Sequence, residues 1–367
     1  MPAKPLEQMS LKELWELFPI SLEDYNEEWP RVAVEEIYAL RSLLGDNIVS
    51  IYHIGSTAIK GIKAKPIIDI LIESNGPEAF ARIKGAMLGA DYICMAESAS
   101  RLSFNKGYTL NGYADKVFHI HVAAAGHIDE VTFRDYLRSH PAAARKYESL
   151  KLSLLPKFRN NRDGYTRAKT NFVKAVMRIA SAKTDDCTPG ELLARLTEKL
   201  QGRIGKKEVD DIAAEATVTD RVKQTLWALT KSPGRRVAVN ALWVITHLPK
   251  YEIDWLASLQ DELIEWLIDE TDASKKRMLL QLLREQQFNA DNENVVKLLD
   301  FCLPKINAES EPYAVRCFSL YVAYKICLPY PELISELSYR IELLKTQTLS
   351  PGLRSALRQI SSRVLLK

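Results

Sequence analysis

Residues 53–74 read His-Ile-Gly-Ser-Thr-Ala-Ile-Lys-Gly-Ile-Lys-Ala-Lys-Pro-Ile-Ile-Asp-Ile-Leu-Ile-Glu-Ser. An apolar run, Ile51 to Ile54, stops at Gly55-Ser56, and a second run, Pro66 to Ile72, carries a single carboxylate, Asp69, in its middle. A charge inside such a run is costly to desolvate unless a partner or a metal compensates it. The order is strand, Gly-Ser turn, short amphipathic segment, strand with an aspartate.

Around this stretch, elements of both kinds alternate as far as residue 181. Ser10-Leu-Lys-Glu13 is a capping box opening a short helix, and Pro30 suits the start of a second that stops at Gly45. Strands are expected at 48–54 and 66–73, then near 92–95, 100–106 and 116–124. Helices are expected from Glu78 to about Leu88, then over roughly 129–154 and 162–180, with Pro141 starting a new one. That mixture predicts an α+β domain over residues 1–183.

Residues 181–188 are small and polar and read as a linker. Thr188-Pro-Gly-Glu191 then supplies an N-cap, a proline and an N3 glutamate. Everything after is helical, which sets a second domain at 187–367. Similar helices start near Val237, Lys276, Ala314 and Gly352, spaced 39, 38 and 38 residues apart. Second helices lie between them, for example Trp255–Ile268 and Val295–Leu303. A two-helix unit with a period near forty resembles HEAT-like repeats, whose hairpins must stack to bury both apolar faces. The alternative is an irregular helical bundle.

The chain has 367 residues, enough for two cores, and a formal charge of only +3. Neither half carries the basic excess that bulk nucleic-acid affinity requires, which argues against a nucleic-acid partner. Five scattered cysteines without a Cys-x-x-Cys favour reduced thiols in a cytoplasmic setting. No apolar run reaches membrane-spanning length, so no membrane partner is expected.

The Gly-Ser turn and its aspartate strand resemble the signature of the polymerase-beta-like nucleotidyltransferases. The wording GSTA…KPIIDI resembles the GrpB family, a group predicted to be nucleotidyltransferases. The likeness extends through Trp29-Pro30, Phe-His-Ile-His-Val at 118–122, Phe-Arg-Asp-Tyr-Leu-Arg-Ser-His-Pro at 133–141 and Tyr-Thr-Arg-Ala-Lys-Thr-Asn-Phe-Val at 165–173. It implies a nucleotidyltransferase-like mixed-sheet domain that moves a nucleoside monophosphate from a nucleotide to an unidentified acceptor.

Such chemistry needs a grip on the triphosphate, an offset to its charge and an acceptor held in line. The resemblance gives the grip to Gly55 and Ser56, and the role of metal-bearing carboxylate to Asp69. Here the chain departs from the wider superfamily, which usually carries a second acid two positions on, where this sequence has Leu71. Glu73 shares the strand face but lies about 13 Å from Asp69 along the strand. His119 and His121, about 7 Å apart on one strand face, are the candidates to complete the site. They could chelate magnesium, manganese or zinc with Asp69, contact phosphate or act as general base. As plainly, they could be two hydrogen-bonded sheet-face histidines.

Lys65 and Lys169 are the candidate phosphate contacts, Lys169 lying on one helical stripe with Tyr165 and Phe172. Lys60 and Lys63 could serve the same end or be solvated. Arg134, Asp135 and Arg138 read as a charged helix face, and His140-Pro141 as a helix junction. The competing view is a nucleotide-binding scaffold without turnover, favoured by the missing second carboxylate, whose repeats hold a protein partner.

Overall fold

The computed structural model describes residues 4–76, 78–182, 187–289 and 292–364. The chain divides into two compact units, Met1–Thr188 and Pro189–Lys367. Residues 183–186 of the expected linker lie outside the described residues.

The first unit is a mixed α/β domain. After α1 (Leu11–Leu17) and α2 (Trp29–Leu44) come β1 (Ile48–Ile54), β2 (Ile68–Ser74) and α3 (Ala79–Leu88). Next follow β3 (Ile93–Glu97), β4 (Arg101–Thr109) and β5 (Gly112–Ala124). Three helices complete it: α4 (Asp129–Ser139), α5 (Pro141–Phe158) and α6 (Arg162–Ser181). The Ser10–Glu13 capping box forms as expected at the head of α1.

The five strands form one sheet in the order β1-β2-β5-β4-β3. Only the central β2–β5 pair is parallel; the others are antiparallel. Because strand side chains alternate, each strand feeds both faces. Ile68, Ile70 and Ile72 of β2, Phe118, Ile120 and Val122 of β5, and Leu102 and Phe104 of β4 share one face. All are buried in a core with Ala33, Leu40 and Leu44 of α2 and Ile83 and Met87 of α3. Each Ile, Leu, Val, Phe or Met side chain among them contributes roughly 1.5–3 kcal/mol by leaving water. The other face carries Asp69, Leu71 and Glu73 of β2 beside His119 and His121 of β5, and α4 packs against β1 on that side.

Three strands differ from the sequence expectation. β2 begins at Ile68 rather than Pro66, because Ile67 N–H turns back to donate to the Lys65 carbonyl at 2.7 Å. β4 and β5 form a longer hairpin than expected, closed at Leu110-Asn111 just before Gly112. The extension places Tyr108 opposite Tyr113.

The second unit is helical throughout its described residues. Its helices are α7 (Pro189–Gln201), α8 (Lys206–Val218), α9 (Asp220–Leu229), α10 (Arg235–Ile245) and α11 (Ile253–Ala257). They continue with α12 (Gln260–Asp269), α13 (Ala273–Arg284), α14 (Glu293–Asn307), α15 (Tyr313–Cys327), α16 (Pro331–Lys345) and α17 (Pro351–Val364). The four helices expected at 38–39-residue spacing are α10, α13, α15 and α17. They contact in series, α10 on α13, α13 on α15 and α15 on α17, while α12, α14 and α16 form the second row. This is stacking of two-helix units rather than an irregular bundle. One expected helix, Trp255–Ile268, is two: α11 ends at Ala257 and α12 starts at Gln260.

Side chains tie the layers at the loops. Asn240 donates to the carbonyls of Leu200 and Gly202, and Gln286 to that of Leu256. The guanidinium of Arg316, fully buried, donates to the Ile306 carbonyl and to Gln347. Such bonds satisfy the carbonyls that helix ends leave unpaired. No described helix is long and apolar enough to cross a membrane.

Candidate functional site

The polar face of the sheet opens into a cavity of about 320 Å³. It is lined by Gly55, Ser56, Lys65, Asp69, His119, His121 and Lys169, so all seven sequence candidates come together there. The remaining lining includes Lys151, Arg162, Tyr165 and Thr166 from α5 and α6.

The turn after β1 is held from behind. His53 Nε2 lies 3.0 Å from Thr57 Oγ1, which donates to the Ile67 carbonyl at 3.2 Å. Burial pushes the His53 imidazole down to about 4, so it stays neutral there. Arg134 donates to the His53 carbonyl at 2.7 Å and Arg138 to the Ala58 carbonyl at 2.8 Å. These two were expected as a plain charged helix face; they clamp the turn instead. Ser56–Ala58 form a single 3-10 turn.

Gly55 has φ +71°, a conformation that L side chains rarely adopt. A Cβ there would lie 2.3 Å from Asp69 Oδ2 and 2.9 Å from Asp69 Cβ. Glycine is therefore needed twice over, for its dihedral and for the close approach of backbone to carboxylate. Ile54 is the register partner of Asp69, which is why the turn lies directly over it.

Asp69 is paired in register with His119 across the parallel β2–β5 ladder. His119 Nδ1 lies 3.2 Å from Asp69 Oδ1, and His121 Nε2 lies 3.9 Å from the same oxygen. Burial opposes the carboxylate, but the hydrogen bonds and charge of His119 and His121 outweigh it and hold Asp69 well below the usual carboxylate range. Burial pushes the His119 imidazole down, with Asp69 pulling the other way.

His119 is fixed on its far side as well. Its Nε2 lies 2.7 Å from the Tyr108 hydroxyl, which accepts from Arg162 at 3.0 Å. Arg162 also donates to the Tyr113 hydroxyl at 2.6 Å. Since the guanidinium can only donate, the Tyr108 proton is free to go to His119 Nε2, leaving Nδ1–H to face Asp69. His121 is held more loosely, with Nδ1 at 3.5 Å from Ser103 Oγ.

The other expected candidates fall elsewhere. Leu71, where a second acid would stand, is sealed in an apolar cluster with Ile54, Ala123 and Val131. Glu73 is buried and occupied, accepting from the Tyr52 hydroxyl and the Gly126 N–H. Lys60 pairs with Glu27 and Lys63 with Asp24, outside the cavity.

Lys151 and Arg162 were not singled out from the sequence, nor was Tyr108. Lys151 carried a readable signal, since it follows Tyr147 by four residues on the buried stripe of α5. The Asn111-Gly112 dipeptide is a hairpin signal that would have extended β4 past Tyr108. Arg162 carried none.

Among the described residues no group of three or more His, Cys, Asp or Glu is arranged to hold a metal ion. Asp69, His119 and His121 are engaged with one another. Their donor chemistry, two imidazole nitrogens converging on one carboxylate oxygen, nonetheless suits a divalent ion taking the place of those bonds.

The fold and cleft define a mixed-sheet domain with a glycine turn closed over a carboxylate–histidine cluster, followed by stacked helical repeats. Residues 19–178 match the family model described as GrpB protein, and residues 196–364 match the one described as HEAT repeat domain. The chain is 31% identical over 164 residues to the Glutamate-rich protein GrpB of Alkalihalophilus pseudofirmus, covering 43% of this chain and 94% of that relative. It is 36% identical to UPF0157 protein YqkA of Bacillus subtilis over 41% of this chain, and 35% identical to a UPF0157 protein of Pseudomonas aeruginosa over 42%. These matches span only 44% and 65% of those two relatives. The solved structure of conserved protein GrpB from Enterococcus faecalis aligns with 45% of this chain and all of its own, at 28% identity and a TM-score of 0.40. The chain belongs to the GrpB family, with a HEAT-like repeat region following the family domain.

Proposed function

We propose that the first unit is a nucleotidyltransferase-like domain whose cleft binds a nucleotide and transfers its nucleoside monophosphate to an acceptor. The observation that carries this reading is the Gly55 backbone set against Asp69, with both histidines converging on the same carboxylate. Gly55 and Ser56 offer backbone and a hydroxyl to a phosphate that side chains could not approach as closely. Lys65 and Lys169 stand on the α6 side of the same cavity.

In the transfer, an acceptor oxygen bonds to the α-phosphorus as the bond to the bridging oxygen breaks and pyrophosphate leaves. The acceptor's proton goes to an imidazole. With no ion bound, His121 suits that role, because His119 is fixed on both nitrogens while His121 is not; with His121 holding an ion it has no free lone pair, and the proton passes to solvent instead. Asp69, His119 and His121 would hold a divalent ion (magnesium, manganese or zinc). When bound, it supplies charge to offset that on the phosphoryl oxygens.

One observation favours a second reading, a nucleotide-binding scaffold without turnover. Leu71 is sealed in apolar packing, so the position of the usual second acid cannot contribute. In either case the helical repeats would hold a protein partner, as stacked repeats present extended surfaces.

The deciding assay offers the four NTPs with magnesium, manganese or zinc to the full chain and follows products and self-modification by mass spectrometry. The transfer reading expects pyrophosphate and a nucleoside monophosphate adduct that are absent from Asp69→Asn. Nucleotide binding without product under every condition would leave the scaffold reading standing.

A further inference from the structure

The cavity lining carries four cationic side chains, Lys65, Lys151, Arg162 and Lys169, against one carboxylate, Asp69, among the described residues. They form a single constellation. Lys65 is repelled by Lys169 and Arg162, and Lys151 by Lys169 and Lys65. The ammonium groups of Lys65 and Lys169 lie 5.4 and 4.7 Å from the centroid of the same Tyr165 ring. Among the described residues, Lys65, Lys169 and Arg162 form no ion pair with any carboxylate. Lys151 is only 2% exposed, and its ammonium donates to the Lys63 carbonyl.

Concentrating like charges in a half-dry cleft without counterions is unfavourable in the free protein. The cost is visible in the lysines: burial, with the neighbouring cations adding to it, pushes both Lys65 and Lys151 down to about 7. Two residues of the same lining also carry an unsatisfied polar atom. The Tyr165 hydroxyl and the Arg162 Nε are buried without a hydrogen-bond partner. Buried polar atoms without partners are rare and call for an explanation. An anion with several oxygens answers both, supplying acceptors to the orphaned donors and counter-charge to the lysines.

We propose that the α5–α6 wall of this cleft holds a polyphosphate chain directly, through Lys65, Lys151, Arg162, Lys169 and the Tyr165 hydroxyl, without needing a divalent metal for binding. This rests on the reading of the cleft as a nucleotide site and names how its phosphates are held. A terminal phosphate carries nearly two charges at neutral pH, and each further one in the chain adds another, about four for a triphosphate. With the anion bound, which favours the protonated form of Lys65 and Lys151, the four side chains match that charge. On this proposal the side chains offset the charge of the outer phosphates, and an ion on Asp69 and its histidines would serve only the reacting phosphate and add to the affinity.

The test is titration calorimetry of the full chain with inorganic tripolyphosphate in the presence of EDTA at low salt. Binding should persist without metal and weaken steeply with added salt, as contacts between several charge pairs require. Lys65→Gln and Lys169→Gln should each weaken it at least tenfold. They are chosen because Lys151, being buried, is the variant most exposed to misfolding. Binding that appears only with magnesium or manganese, or that is equal in parent and lysine variants, overturns the proposal. Nucleotide transfer with metal-dependent phosphate binding would overturn this proposal and keep the transfer reading. Metal-free tripolyphosphate binding without transfer would do the reverse.

Discussion

The two faces of the β1–β5 sheet are built by the same strands from alternate residues, yet they are opposites in energetic character. On one, Ile70, Ile120 and Phe104 have no exposed surface and lie in an apolar core with residues of α2 and α3. On the other, the register partners Asp69 and His119 face a cavity whose walls carry four cations. The first face stabilises the fold by removing hydrocarbon from water. The second costs stability at Lys65 and Lys151, whose burial is not compensated, while Asp69 is held by its bonds to His119 and His121.

The sharpest way to break this contrast is to remove matching groups from each side. Ile120→Ala should destabilise the first unit by about 2–5 kcal/mol, read from urea unfolding, because it opens a cavity in closed packing. His121→Gln, one residue along on the opposite face, should cost far less. Equal losses would mean that the polar face is structural.

Gly55→Ala comes next. It forces a non-glycine residue to φ +71° and drives its Cβ onto Asp69. A loss of about 1–3 kcal/mol is expected, together with loss of nucleotide binding in calorimetry. Retained nucleotide affinity would show that the turn and carboxylate do not act together.

The lysines sharpen the contrast through pH. Lys65 titrates at about 7 in the fold against 10.5 when unperturbed. Between those values the unfolded chain binds the extra proton, so the stability of the free protein should rise with pH from about 7 towards 10. Thermal melts of Lys65→Met should show a shallower rise. A parent curve that falls across this window would contradict the charge-stressed cleft.

The smallest effect belongs to Tyr108→Phe, which removes two hydrogen bonds, one to His119 and one from Arg162, and should cost about 1–2 kcal/mol. Nitrogen NMR of the histidines should show His119 losing its fixed tautomer while His121 is unchanged. No change at His119 would remove Tyr108 from the account.

Much of this was legible in the sequence for definite reasons. Gly55-Ser56 and Asp69 stand out because a turn and a charge interrupt two apolar runs, and His119/His121 because they alternate within a strand. The helical half was legible through its 38–39-residue spacing, and the break between α11 and α12 was missed because Trp255–Ile268 keeps an apolar rhythm across it. Arg134 and Arg138 were misread because sequence shows a charged stripe but not the carbonyls it reaches. Lys151, Arg162 and Tyr108 enter the site through tertiary packing of α5, α6 and the β4–β5 hairpin. Only Lys151 and the Asn111-Gly112 turn left a local trace.

The central claim is that the polar sheet face is a nucleotide site in which Asp69 carries a divalent ion. Its most direct test is calorimetry of an NTP into the parent and Asp69→Asn, each with EDTA and with manganese. The parent should bind more tightly with manganese than with EDTA. Asp69→Asn should keep the EDTA affinity and lose the manganese increment, since its shape survives and its charge does not. An equal manganese increment in both proteins would contradict the account.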